Sequence, residues 1–132
     1  MTHQQQRSAW SELQQRRGLE EARMTVQHLE QQLADIEGQL GPARQEEQRR
    51  RVIWEATGAQ MVAALARRGP GESLLVRFDD PERAAFDVAE RDLRELTTLV
   101  STLDARRASA QQARAHWRRE LAARIGQPAG AA

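Results

Sequence analysis

Apolar residues recur at alternating spacings of three and four along two long stretches of the chain. In the first they are Leu19, Ala22, Val26, Leu29, Leu33, Ile36, Leu40 and Ala43. In the second they are Phe86, Ala89, Leu93, Leu96, Val100 and Leu103, and Ala110, Trp117 and Leu121 continue that register. Such spacing places one apolar seam along one side of an α-helix, and the seam stays wet unless another helix covers it. Two seamed helices that cover each other offer surfaces rather than an enclosed pocket, so function is expected in what the chain touches.

The helix limits follow from punctuation. Residues 1–6 are polar and expected to fray, and the first helix is expected over 7–68. It stops at Arg67-Arg68-Gly69-Pro70-Gly71, with cations in the last turn, a glycine for the cap and a proline that ends the helix. A linker over 69–79 leads to a second helix over 80–125, where Asp80 suits the N-cap and Pro81 the first helical position. A disordered tail, 126–132, completes one domain, 1–132. Gly41-Pro42 sits within the first pattern, and an interior proline costs about 3 kcal/mol. Just beyond it the seam is interrupted at 44–51, with Glu47 and Arg50 in core-type positions. The expected fold is all-α, an elongated antiparallel two-helix coiled-coil hairpin with its first helix kinked or broken at Gly41-Pro42. A three-helix bundle is the competing reading.

Charge favours the antiparallel return. Residues 1–43 carry four Arg and six acids, and residues 44–68 six Arg and three acids. Residues 79–104 carry three Arg and eight acids, and residues 105–132 six Arg and one acid. Folding back sets the basic 44–68 beside the acidic 79–104, and the acidic 1–43 beside the basic 105–132. Individual exposed pairs are weak, yet their sum selects an orientation. Arg107 and Arg114 fall on the seam register, where a long side chain can snorkel out to a partner acid. Acid–arginine pairs four apart, among them Glu46–Arg50, Glu47–Arg51, Arg83–Asp87 and Glu90–Arg94, add about 0.3 kcal/mol each to the helices.

Composition removes most chemistry. The chain has 132 residues, no Cys, no Tyr and five aromatic residues. Disulfides, thiolate metal sites and thiol nucleophiles are thereby excluded. All 20 basic residues are Arg, which excludes Schiff-base lysine and the phosphate-loop lysine. The formal net charge of +1 argues against a dominant nucleic-acid surface. His3, His28 and His116 have no second ligand at metal spacing, and no nucleophile–base pattern is present. The expectation is no enzyme activity and no cofactor. No apolar run reaches the 18 residues of a membrane span, and the N-terminal residues lack the apolar core of a signal peptide, so the expected location is cytoplasmic, or one reached by another route.

The candidate partner-binding residues are apolar groups that the seam does not explain. Trp10 and Leu13 lie out of its register. They form either a partner site on an unpaired overhang or a further layer contact in a dimer or bundle. Leu74, Leu75, Val76 and Phe78 make the linker more apolar than a turn requires. They either close the core against Ala64, Leu65 and Phe86, which is the favoured reading, or dock a partner. Trp117, on the basic stretch, is the third candidate.

A small Gln- and Arg-rich chain of two long antiparallel helices, opening Gln4-Gln5-Gln6-Arg7-Ser8-Ala9-Trp10 and continuing Leu13-Gln14-Gln15-Arg16-Arg17, resembles the type III secretion stalk proteins of the YscO-like, flagellar FliJ-like and Hrp-type (SctO) family. The resemblance covers about residues 8–125. It implies a continuous first helix and a non-enzymatic stalk that links the hexameric export ATPase to the export gate. It also implies membrane association through those partners alone. The ends of the hairpin, around Trp10, Leu13 and Trp117 and around residues 69–79, would bind different partners. The alternative is a coiled-coil adaptor or secretion chaperone that dimerises through its seam, so both a monomer and a dimer are compatible with the sequence.

Overall fold

The structure is a computed structural model that describes residues 2–67 and 80–126, and it contains two helices, α1 (His3–Ala66) and α2 (Pro81–Ile125). The fold is all-α, with the helices packed against each other and no strand among the described residues.

α1 begins four residues earlier than the apolar period indicates, because a cap replaces the missing apolar contacts. The backbone N–H of Gln5 donates to Thr2 Oγ1 at 3.3 Å, and the Thr2 N–H donates to Gln5 Oε1 at 2.9 Å. This reciprocal capping box satisfies two of the otherwise unpaired donors of the first turn. At the other end, α1 stops at Ala66 with Arg67 in a turn, and the expected linker, Leu74, Leu75, Val76 and Phe78 included, lies outside the described residues.

Of the kink or break expected at Gly41-Pro42, the break is absent. α1 runs through Pro42 as one helix of 64 residues, so the three-helix alternative does not hold. Pro42 and Gly38 are both exposed, which leaves the Gly38 carbonyl, deprived of its usual donor, facing solvent. The seam beside the proline is well covered: Leu40 is 2% exposed, and Ala43 is buried next to it. Burial of a leucine is worth about 1.5–3 kcal/mol, enough to offset most of the proline penalty. The polar stretch beyond it does not leave the seam either, because Glu47 and Arg50 stay half-buried.

α2 starts as its sequence indicates. Asp80 precedes Pro81, and its carbonyl accepts the first helical hydrogen bond from Ala84 at 3.0 Å. Glu82 lies in the first turn and Arg124 in the last, which suits the helix dipole. Gly126 donates to the Ala122 carbonyl at 3.0 Å and so belongs to the closing turn rather than to the tail; residues 127–132 lie outside the described residues.

Contacts group the chain into two compact units, residues 1–37 with 105–132, and residues 38–104. In the first, Ala22, Val26, Leu33 and Ala110 are buried, and Leu19, Leu29, Ile36, Trp117 and Leu121 are half-buried. Glu30 pairs with Arg118 at 2.7 Å, and Gly18 lies against the Arg124 guanidinium, so the helices run antiparallel. In the second, Leu40, Ala43, Ala89, Val100 and Leu103 are buried. Here Arg44 pairs with Asp104 at 2.7 Å and Arg50 with Asp92 at 3.7 Å, and the rings of Trp54 and Phe86 lie 6.1 Å apart, again antiparallel. These three cross-helix ion pairs join segments of opposite charge in the sense that the charge distribution indicates. Gly58 lets the Phe86 ring approach α1: a Cβ there would stand 3.4 Å from its Cε2.

Candidate partner-binding surfaces

Thr2 to Trp10 are all exposed, and Ser11 is the first half-buried residue of α1. Trp10 is 58% exposed and Leu13 47%, although both stand on a capped helix. They lie three residues apart and share a face turned away from the seam. Trp117 differs. It is half-buried on the α2 seam, and its ring meets His116 edge-on at 5.6 Å, so much of its surface serves packing. The candidates Leu74, Leu75, Val76 and Phe78 lie outside the described residues.

Open grooves flank the seam. In the first unit one groove of about 300 Å3 is lined by Glu12, Gln15, Arg16, Leu19, Arg23, Arg124 and Ile125. Another, of about 460 Å3, lies beside Leu29, Ile36, Arg106 and Ala110. In the second unit a groove of about 310 Å3 runs past Arg51, Trp54, Leu93 and Arg94. Apolar periodicity did not single out the first of these grooves. The signal available was Gly18, a glycine in the middle of a helix. A Cβ at that position would collide with the Arg124 guanidinium.

Electrostatics centre on Glu46. It forms an ion pair with Arg49 and accepts a hydrogen bond from Arg50 Nε at 2.9 Å. Its carboxyl is held below the ordinary range, chiefly by the Arg50 hydrogen bond, with desolvation opposing and the charge of Arg49 assisting. Arg50 also reaches Asp92, so the polar interruption of the seam is a linked set of charges. The Trp54 indole N–H, by contrast, is buried and donates to no group in the described structure. His28 and His116 are exposed. No group of three or more His, Asp and Glu residues placed to hold a metal occurs among the described residues. No helix among them is long and apolar enough to cross a membrane.

Compared with known proteins, the chain matches no protein-family model, no curated protein sequence and no solved structure.

Proposed function

We propose that this protein is a non-enzymatic helical adaptor of a bacterial type III secretion apparatus. In this reading it works in the cytoplasm and links the export ATPase to the export gate, meeting the membrane through those partners. The observation that carries the reading is the continuity of α1 through Pro42. A stalk that links two partners is expected to carry one continuous long helix, and α1 is continuous over 64 residues. The capped start of α1 supports the same reading, because it presents Trp10 and Leu13 on an ordered helix rather than on a frayed end.

The test is reconstitution. Purified protein is mixed with the hexameric secretion ATPase of its own organism, and hydrolysis and co-elution are measured. Co-elution with stimulated turnover is expected, and Trp10→Ala is expected to weaken it. An ATPase that neither binds nor responds overturns the proposal. Recovery of secreted substrates, with no ATPase bound, assigns the chain to the chaperones.

A further inference from the structure

We propose that the groove between the start of α1 and the end of α2 binds an acidic amphipathic helix of a protein partner. Arg16 and Arg23 lie seven residues apart on α1, two turns along one face, with Leu19 between them. Arg124 reaches the same groove from α2, with its guanidinium lying over Gly18 in the space a side chain would occupy. Three guanidinium groups from two helices thus line a groove of about 300 Å3 whose apolar wall is Leu19 and Ile125, the latter 59% exposed. Among the described residues none of the three arginines takes part in an ion pair, whereas Arg44, Arg50 and Arg118 each hold an acid across the helix interface. Glu12 is the one acid lining the groove.

Charge complementarity sets the occupant. Guanidinium groups match carboxylates in two-point hydrogen bonds. Residues seven apart on a helix are about 10.5 Å apart along its axis. Two carboxylates at that spacing on a partner helix would meet Arg16 and Arg23 together. An apolar side chain midway between them would rest on Leu19 and Ile125, and Arg124 would be left for a third acid or a carbonyl. A nucleic acid fits less well, because no aromatic residue lines the groove to stack on a base, and the whole chain carries a net charge of only +1. This inference rests on the groove and not on the secretion reading, so either can fail without the other.

The probe is a fluorescein-labelled synthetic helical peptide with glutamates seven residues apart and a leucine midway, titrated with the full-length protein and read by anisotropy. Saturable binding is expected. The triple variant R16Q/R23Q/R124Q should weaken it about tenfold or more through loss of charge-assisted hydrogen bonds, with helicity retained because all three side chains are exposed and the melting temperature lowered only slightly by loss of the Arg124 charge from the last turn of α2. Gly18→Ala, which displaces the Arg124 guanidinium, should weaken it less. Equal affinity of the triple variant and the parent overturns the proposal. So does complete displacement of the peptide by duplex DNA at equal charge, or binding that Trp10→Ala abolishes and the triple variant leaves intact.

Discussion

Leu40 and Leu103 are each only 2% exposed, and they sit in a core otherwise made largely of alanine and valine. Truncating a buried leucine costs about 2–5 kcal/mol. A two-helix layer can close part of the cavity, so Leu40→Ala should cost about 2–3 kcal/mol in a denaturant titration. A loss below 1 kcal/mol would mean that the seam at Pro42 is not what holds α1 together. At Glu46 the effect is one of pH. Its folded pKa lies below the ordinary carboxylate value of 4.5, so its contribution is complete above that value and is lost as pH falls through the folded pKa. The melting temperature of the parent should therefore fall more steeply between about pH 5 and pH 3 than that of Glu46→Gln. Parallel curves would remove Glu46 from the account. Trp10 stands outside both networks. Trp10→Ala should leave circular dichroism and melting unchanged, and a global loss of helix would show that its exposed surface packs on something after all.

At the scale of the element, α1 survives its proline through tertiary burial, and its glycines are the remaining weakness. Beyond its chain neighbours and the local helix backbone, a Cβ added at Gly38 or Gly41 would meet nothing within 4 Å. Alanine is better than glycine in a helix interior by about 1 kcal/mol, so Gly38→Ala should raise stability by about that amount, whereas Gly41→Ala should gain less, because a Cβ on the residue before a proline crowds the proline ring in helical backbone. Unchanged or lower melting temperatures would reveal that the backbone at Pro42 needs glycine. The two helices were legible in the chain because the 3–4 period persists over many turns and Asp80-Pro81 marks the start of α2. Continuity through Pro42 was not legible, because a local propensity penalty gives no measure of how well Leu40 and Ala43 are covered. The early start of α1 was missed for a different reason. Thr2-His3-Gln4-Gln5 carries the threonine-to-glutamine spacing of a capping box, but it carries no apolar period. The arginine groove escaped because it joins Arg16 and Arg23 to Arg124, and only the fold makes them neighbours.

For the molecule as a whole, the seam raises the question of who covers it. Positions 86, 89, 93, 96, 100 and 103 of α2 are all buried or half-buried, as are positions 33, 36, 40, 43, 47 and 50 of α1, without a second chain. The antiparallel ion pairs Arg44–Asp104, Arg50–Asp92 and Glu30–Arg118 hold opposite-charge segments of one chain together. A partner copy is thus not required to dry the seam, and a dimer that used it would have to displace α2. The large exposed apolar residues left over, such as Trp10, Met24, Val62 and Val88, stand at scattered positions rather than along a second continuous 3–4 line. Light scattering on the purified chain should accordingly return the monomer mass of 14.9 kDa. Exchanging the charges of one cross-helix pair, Arg44→Asp with Asp104→Arg, should preserve that mass and the fold, whereas Arg44→Asp alone places two acids in contact and should lower the melting temperature. A mass of twice the monomer, unchanged on dilution, would instead make the seam an interface between copies and favour the dimeric adaptor over the stalk.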